Sequence, residues 1–335
     1  METIGFTKNM KLIKPSFEII EQKPRDIVIP ADMEIGPQMW KDELMNSVYR
    51  QIEIAGRTCY KSEDKITETS AKEFVDRMVK SGHGAMLEHG TVYLRIPDVS
   101  SDGQWVYPAK GKYLGNKYSV TKSRLEGVAQ NPYSVFYVTT NYRVLVENNW
   151  LDDLQYICEP TEYHAKRVTV KFICDRGVSH EFVRHRVFSF AQESTRYCNY
   201  SKDKFGNECT FIIPSWLDLE GNHVQVDNVV ATINYKAGGW KDYPVGSDVH
   251  TYLRSLSVAE ESYFSLLEND YSNGWIAQQA RAVLPNSLKT ELIMTGTIEQ
   301  WEGFFKLRDA GSAHPQAYEL AHPLHEEFIK RGWIK

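Results

Sequence analysis

Two apolar runs place the strongest constraint on what this chain can fold into. They are VTVKFICD, from Val168 to Asp175, and LKTELIMTG, from Leu288 to Gly296. The first has the β-branched composition of a strand buried in a sheet, and the second also predicts a strand. Helical patterns alternate with these and other strands along the chain. This interleaving predicts an α/β or α+β architecture.

The remaining elements follow from periodicity and from residues that begin or end helices. We predict further strands at residues 16–21, Glu88–Ile96 and Thr210–Trp216. We predict helices at Trp40–Ala55, Ser70–Lys80, Ser179–Arg186, Asp248–Glu268 and about Trp275–Val283, and one that begins after Thr297. Ser70 is the expected N-cap of its helix, and Gln300 is expected to form a capping box with Thr297.

The chain is expected to form one domain over residues 1–335, because 335 residues can bury one large core. Residues 1–40 are rich in proline and predict an extended leader. Residues from about 97 to 167 predict an insertion. Within it, residues 97–135 are rich in turn-forming residues and lysines, which favours a solvated surface loop over a lid above a ligand.

Composition excludes several classes of protein. A net charge of −5 and a pI of about 6.1 argue against general binding of nucleic acid or of membrane surfaces. Neither a signal-peptide core nor a run of ~18 apolar residues is present. The five cysteines are scattered and include no C-x-x-C pair, so they indicate neither a disulfide framework nor a zinc site. We therefore predict reduced thiols and a cytoplasmic protein.

Cationic side chains cluster in FVRHRVFSFAQESTRYCNYS, from Phe182 to Ser201. Arg184, His185, Arg186 and Arg196 lie there among aromatic and hydroxyl residues, with no matching acids beside them. Guanidinium groups bind phosphate and carboxylate through paired donors, so the cluster predicts a pocket for an anion. Arg281 and Arg308 could converge on the same ligand, although for Arg281 alone a helix cap or a surface ion pair is the favoured interpretation.

The other chemical candidates are weak. Positive neighbours lower the pKa of His185, which suits a neutral hydrogen-bond donor better than a general base. Ser194 lacks a G-x-S-x-G setting, and Cys198 is interpreted as a buried bystander thiol. His322 and His325 do not form H-E-x-x-H, so no metal site is predicted. There is no G-x-G-x-x-G or P-loop, and a pocket without a protein nucleophile needs a cofactor for its chemistry.

Five segments, in order, resemble the flavin-dependent thymidylate synthases. RHRVFSFAQES followed by TRY is similar to the signature of that family. EHGTVYLRI, AGRTCYKS, ARAVLP and TIEQWEGFFKLRDAGSAHPQAYEL are similar to its other conserved blocks. The resemblance implies the fold of that family, with a mixed central sheet flanked by helices. It also implies a homotetramer with active sites between subunits, and a methyltransferase that binds neither nucleic acid nor membrane.

The implied reaction converts dUMP to dTMP, with FAD as cofactor and with 5,10-methylenetetrahydrofolate and NADPH as cosubstrates. Arg308 would polarise the uracil, and Ser194 belongs to the same implied catalytic centre. The implied dUMP residues are Glu181, Arg184, Gln192, Glu193, Ser194, Thr195, Arg196, Arg281 and Arg308. The implied FAD residues are His89, Thr91, Arg184, His185, Arg186, Gln192, Thr297, Glu299 and Gly303. His89 is equally well interpreted as a structural residue with its hydrogen bonds satisfied.

The sequence departs from the family pattern at several positions that normally touch FAD or nucleotide. Gln192 replaces a glutamate, Glu181 replaces a glutamine, and Cys59 replaces a serine. In the closing block, Thr297, Glu299 and Gly303 replace residues of other types. The insertion is hypothesised to shield or extend the edge of the tetramer.

A second function class uses the same arginines without catalysis. In this alternative the chain is a binding module for nucleotides or single-stranded nucleic acid, in which aromatic side chains stack on bases. The candidate stacking residues are Phe190, Tyr197 and Tyr200. The acidic net charge argues against this alternative.

Overall fold

The computed structural model describes residues 11–25, 36–98, 108–128, 131–219, 221–235, 239–268 and 274–335. Its strands are β1 (Lys11–Ile13), β2 (Ser16–Ile20), β3 (Thr91–Pro97), β4 (Val120–Val128), β5 (Asn131–Asn141), β6 (Arg167–Asp175), β7 (Ser189–Gln192), β8 (Thr210–Ile212), β9 (Gly221–Val226), β10 (Val230–Tyr235), β11 (Trp240–Pro244) and β12 (Lys289–Thr297). Its helices are α1 (Pro37–Tyr60), α2 (Ser70–Lys80), α3 (Gly84–Leu87), α4 (Pro108–Leu114), α5 (Tyr142–Glu147), α6 (Arg176–Phe182), α7 (Asp248–Leu267), α8 (Ala277–Ala280), α9 (Ile298–Arg308) and α10 (Pro315–Lys330). Strands and helices interleave, which confirms the α/β (α+β) class.

The central sheet has four strands in the order β2-β6-β12-β7, and every neighbouring pair is antiparallel, so the described sheet is antiparallel rather than mixed. It contains both apolar runs that the sequence singled out. Helices α6, α9 and α10 pack one apolar cluster against β6 and β12, around Phe172 and Trp301. Helix α1 packs against β7 and β12 through Ala55, Cys59 and Ile293. The buried strands therefore hold the termini of α6 and α9 close to one another.

Within residues 97–135, which were predicted to form a solvated loop, β4 and the start of β5 belong instead to a second sheet, so the prediction is wrong there. Residues 99–107 and 129–130 of that stretch lie outside the described residues. Strands β3, β5 and β4 pair antiparallel in that order, with Thr91 opposite Asn141 and Val120 opposite Thr139. One face is apolar and buries a core with α1, α2 and α5. The sequence signal failed for two reasons: β3 pairs with β5 across a long separation, and the turn-forming residues between β3 and β4 suggested a loop.

The chain enters the second sheet and returns from it at neighbouring positions, which one arginine connects. The Arg167 guanidinium donates to the Glu88 carbonyl and to the Thr91 hydroxyl, at 3.2 Å each. Thr91 is the first residue of β3, and Arg167 is the first residue of β6. The segment between them, residues 91–166, is called the excursion below.

A third group of elements surrounds a separate apolar core. Strands β9, β10 and β11 form an antiparallel meander, and β1 pairs in parallel with β8. Helix α7 packs against this meander around Leu253, Leu256 and Tyr263. None of the described helices has the length and apolarity needed to cross a bilayer.

Most predicted elements are present, with two corrections near helix starts. The helix predicted at Ser179–Arg186 spans Arg176–Phe182, because the Asp175 carboxylate accepts from the Val178 amide at 2.7 Å and caps the helix earlier. Ser70 is the first residue of α2 rather than its N-cap, and its hydroxyl accepts from the Thr67 amide. The capping box of Thr297 and Gln300 is present as predicted.

Candidate active site

A tightly bonded cluster forms where the end of α9 meets the end of α6. The Arg308 guanidinium donates to the Glu181 carboxylate at 2.6 Å and to the Glu181 carbonyl at 2.8 Å. Its Nε donates to Nε2 of His185 at 3.1 Å. Both ion-pair partners are largely buried. Because three acceptors hold one planar cation, the orientation of Arg308 is fixed before any ligand binds.

His185 is held in its neutral form by its surroundings. Burial, and then the positive charge of Arg308, lower the pKa of His185 to about 4. Since Nε2 accepts from Arg308, any proton on the neutral ring lies on Nδ1. The expected direction of the shift is confirmed, but the main cause is burial and the nearby cation is Arg308 rather than Arg184 or Arg186.

Two further arginines of the R-H-R stretch point into solvent. Arg184 and Arg186 lie in the turn after α6, and both are exposed. Arg184 is therefore not on the same helix as Glu181, contrary to the prediction. Within the described part of the chain, neither guanidinium forms an ion pair. They are available to an anion that approaches this surface.

A second cluster forms around the segment that follows β7. The Arg281 guanidinium donates to the Thr195 hydroxyl at 3.0 Å, and Thr195 is buried. The Ser194 hydroxyl accepts from the Arg196 amide at 3.3 Å, while the Arg196 guanidinium lies over the Tyr197 ring. Both arginines are exposed. This cluster joins two distant segments, as predicted, and presents two cations beside hydroxyl groups.

Gln192 and Glu193 are committed to contacts inside the chain. The Gln192 amide donates to the hydroxyls of Ser179 at 2.9 Å and Thr290 at 3.2 Å. The Glu193 carboxylate is buried, accepts from Lys289 at 2.7 Å and accepts from the Tyr200 hydroxyl at 3.2 Å. These contacts hold the backbone just before Ser194 and Thr195 in place.

The residues predicted for FAD fall into different environments. His89 is 0% exposed, and its Nδ1 shares a hydrogen bond with the Thr295 hydroxyl at 2.8 Å. Thr91 is also buried, and its hydroxyl accepts from Arg167. Burial, with a further contribution from Arg167, lowers the pKa of His89 to about 3. The Thr91 hydroxyl thus has an internal partner, whereas Nε2 of His89 is buried without a hydrogen-bond partner among the described residues, so His89 is not fully satisfied as a structural residue.

The start and middle of α9 are more accessible. Thr297 caps its own helix, and its hydroxyl accepts from the Gln300 amide. Glu299 and Gly303 are exposed on α9, and a Cβ added at Gly303 would meet no atom within 4 Å. An anionic ligand would therefore meet the carboxylate of Glu299 here rather than a cation.

The thiols and histidines outside these clusters show no sign of reactivity. Cys198 is buried, and burial raises the pKa of its thiol to about 12, which agrees with a bystander role. Burial likewise raises the pKa of Cys59 to about 11. His322 and His325 both contact the Asp309 carboxylate, at 2.8 and 2.5 Å. The described residues contain no group of side chains able to hold a metal ion.

The sequence did not lead us to a network of ion pairs at the start of β12, the end farther from α9. Glu291 contacts three ammonium groups, from Lys61, Lys171 and Lys289, at 2.7, 2.5 and 2.7 Å. Burial raises the pKa of Glu291, but the three lysines outweigh this effect and lower it to about 2. A charged residue inside an apolar strand is the signal that could have identified it.

The family model for thymidylate synthase complementing protein (Thy1) matches residues 161–331, about half of the chain. The chain belongs to this family. The match covers both clusters and the central strands β6, β7 and β12. The matched segment begins at residue 161, near the end of the excursion.

Curated relatives carry the name flavin-dependent thymidylate synthase. The one from Pyrococcus furiosus is 27% identical over 162 residues, which cover 48% of this chain and 54% of that protein. The one from Mycobacterium avium is 27% identical over 146 residues, covering 44% and 50%. A probable member from Paramecium bursaria Chlorella virus 1 is 25% identical over 218 residues, covering 63% and 92%. The chain thus spans about half the length of the first two relatives.

Among solved structures, the chain is similar to a UMP/dUMP methylase, PolB, from Streptomyces cacaoi, bound with 5-Br dUMP. The alignment covers 96% of this chain and 93% of that chain, at 17% identity and a TM-score of 0.37. A similarity at this level carries no argument about the site.

Proposed function

We propose that the chain is a flavin-dependent thymidylate synthase that methylates dUMP to dTMP. The observation that carries the proposal is the fixed contact of Arg308 with Glu181 and His185, inside the segment that matches the family. In this proposal 5,10-methylenetetrahydrofolate donates the carbon and NADPH supplies the electrons. The identified family and the names of the curated relatives support the reaction class.

Arg308 is proposed to bind the uracil ring and to stabilise negative charge that develops on its oxygens. A guanidinium that is already oriented needs little reorganisation when that charge appears, which is how preorganised donors accelerate reactions. Glu181 and neutral His185 are proposed as positioning residues, since each contacts Arg308 directly. Neutral His185 adds no second positive charge to the cluster.

The phosphate of dUMP is proposed to bind at the second cluster. Arg196 and Arg281 offer exposed guanidinium groups, and the hydroxyls of Ser194 and Thr195 lie beside them. Charge-assisted bonds from arginine to phosphate are strong and directional. Thr195 already orients Arg281 through its hydroxyl.

The two clusters are proposed to meet across a subunit interface. Among the hydrogen bonds and ion pairs of the described residues, none joins the Arg308 cluster to the Arg281 cluster. A homotetramer would allow one copy to supply the ring-binding arginine and another the phosphate-binding arginines. The role of the excursion at the edge of such an assembly stays a hypothesis.

The fit of FAD to this chain differs from one predicted residue to the next. Arg184 and Arg186 fit a pyrophosphate, because both guanidinium groups are exposed and form no ion pair within the described ranges. In this single-chain conformation Thr91 does not fit, because it is buried and bonded to Arg167, and His89 is buried as well, although its Nε2 has no hydrogen-bond partner among the described residues. When bound, the flavin would supply the redox chemistry, while Arg184 and Arg186 would hold its charged part.

The test is an anaerobic assay of the purified chain with dUMP, 5,10-methylenetetrahydrofolate, NADPH and added FAD. We expect dTMP as product and the absorption spectrum of a bound flavin. A protein that binds no FAD and forms no dTMP would refute the proposal. The alternative, a non-catalytic binding module, would instead show single-strand affinity that falls steeply with salt and does not respond to FAD.

A further inference from the structure

A cavity of about 390 Å³ lies where the leader, the excursion and the central sheet meet. Ile19 and neighbouring residues of β2 form one wall, Tyr93 and Thr161 of the excursion form another, and Trp333 closes one side. The volume falls within the range of sites for small ligands. Of the residues predicted to bind FAD, Thr91 borders the cavity, and its hydroxyl is already bonded to Arg167.

The charged groups of this cavity are not balanced. Lys23 is paired with Glu21, which also pairs with Arg331. Lys166, in contrast, forms no ion pair with any described residue, and its ammonium lies 3.9 Å from the centre of the Trp333 ring. Burial lowers the pKa of Lys166, and the positive charges of Arg331 and Lys23 lower it further against the opposing effect of Glu21. The Lys166 ammonium is therefore incompletely solvated and has no ion-pair partner among the described residues.

The second cation of the cavity has neutral partners. The Arg167 guanidinium donates to the Glu88 carbonyl, the Thr91 hydroxyl and the Ser189 hydroxyl, at 3.2 to 3.3 Å. No carboxylate in the described part of the chain forms an ion pair with it. Lys166 and Arg167 both line the cavity without a carboxylate partner among the described residues, so an anion bound there would supply one.

We propose that this cavity binds a small organic anion, with its phosphate or carboxylate group facing Lys166 and Arg167. Arginine and lysine together are the usual protein partners of both groups. The apolar part of the ligand would lie against Ile19 and the Trp333 ring. A ligand here would connect the leader, the excursion and the central sheet, so it would bind outside the two clusters assigned to dUMP.

The experiment is isothermal titration calorimetry of the full chain with inorganic phosphate and, separately, with citrate. The test variant is Lys166→Gln, which should fold because its side chain is partly exposed and forms no described hydrogen bond. The control is Lys122→Gln, which removes an exposed lysine of β4. A third variant, Arg281→Gln, removes a cation from the proposed dUMP phosphate site.

We expect Lys166→Gln to weaken binding of one of the two anions by about tenfold or more, a loss typical of one charge-assisted contact. The anion affected identifies the group, phosphate or carboxylate. Lys122→Gln should leave that affinity within about twofold of the parent chain, whereas Arg281→Gln should remove only phosphate binding at the proposed dUMP site and leave the binding that depends on Lys166. The measurement forms no dTMP, so its failure is distinct from failure of the proposed function.

Three results would overturn the inference. The first is that the parent chain binds neither anion, and the second is that binding is lost in Arg281→Gln and retained in Lys166→Gln. In the third case, added FAD would displace the bound anion from the parent chain, which would make the cavity part of the flavin site.

Discussion

The two arginine clusters differ in how their guanidinium groups are held. Arg308 is largely buried and has three internal acceptors, from Glu181 and His185. Arg281 is exposed, and among the described residues it has one hydrogen bond, to the Thr195 hydroxyl. Arg196 is exposed as well, beside Tyr197. Arg308 thus finds its acceptors within its own chain. Among the described residues, in contrast, most N–H groups of the Arg281 and Arg196 guanidiniums donate to no acceptor.

This difference indicates different roles. A guanidinium that is fixed by its own protein can stabilise charge that appears during a reaction, because it does not have to move. A guanidinium held by one hydroxyl can adjust to a phosphate that is present throughout binding. Removing Arg308 should therefore affect both turnover and folding, whereas removing Arg281 should affect mainly binding of the nucleotide.

The largest effect is expected for Arg308→Ala. Loss of a preorganised charge should lower kcat by about 10²–10³-fold. Loss of the pair with Glu181, which leaves that carboxylate without its partner, should also lower the free energy of unfolding by about 2 kcal/mol. Steady-state kinetics and urea unfolding would measure the two effects. Lys306→Ala, on the exposed side of α9, is the matched control, and undiminished kcat in Arg308→Ala would remove the distinction between the clusters.

Arg281→Ala should raise the KM for dUMP by about ten- to a hundredfold, because one charge-assisted contact to phosphate is lost. The melting temperature should change little, since Arg281 is exposed and makes one internal hydrogen bond. Titration with dUMP and thermal unfolding would be compared with Lys202→Ala, a control on an exposed lysine. If kcat fell while KM stayed constant, Arg281 would belong with Arg308 in function.

A smaller effect concerns acid stability. The pKa of His185 is about 4 and that of His89 about 3 in the folded chain, both below the value of an unfolded histidine. Between about pH 6.5 and those values the unfolded chain binds protons that the folded chain does not. The free energy of unfolding should therefore fall as the pH falls through this window.

Urea unfolding at several pH values would measure this dependence. In His185→Asn the slope should be shallower than in the parent chain, because one of the two shifted groups is gone. An equal slope in both chains would mean that His185 does not keep its low pKa.

The smallest effect is expected for Ser194→Ala. Its hydroxyl accepts from the Arg196 amide, and no histidine of the described residues hydrogen-bonds to it, so it lacks the base that an activated serine requires. We expect kcat to stay within about fivefold of the parent and KM for dUMP to rise modestly. Formation of dTMP by this variant would be compared with that of Thr195→Ser. A complete loss of kcat would indicate a nucleophilic serine and would contradict the electrostatic role of the clusters.

The sequence predicted local structure well where a pattern repeats within a few residues. The strands β6 and β12, the capping box at Thr297 and the helix α7 all have such patterns. It predicted the excursion poorly, because the turn residues between β3, β4 and β5 suggested a loop. Pairing between strands depends on contacts across long separations, which periodicity does not encode.

The same limit applies to the site. Arginine content singled out the arginines of both clusters, but it predicted that Arg281 and Arg308 could converge on one ligand, whereas they lie in two separate clusters of the described residues. The partner of Arg308 could not be predicted, since Glu181 lies 127 residues away in sequence. The buried positions of His89 and Thr91 were equally hidden, because burial is a property of the assembled sheet.

The contacts of Arg167 have a consequence for how this chain could be redesigned. Its guanidinium binds the last turn before the excursion and the first strand within it, so the two ends of a segment of some seventy residues nearly touch. The segment cannot simply be replaced by a short bridge, however, because its sheet buries an apolar core with α1 and α2. A foreign module with closely spaced ends, grafted there in its place, would have to cover the same apolar surface.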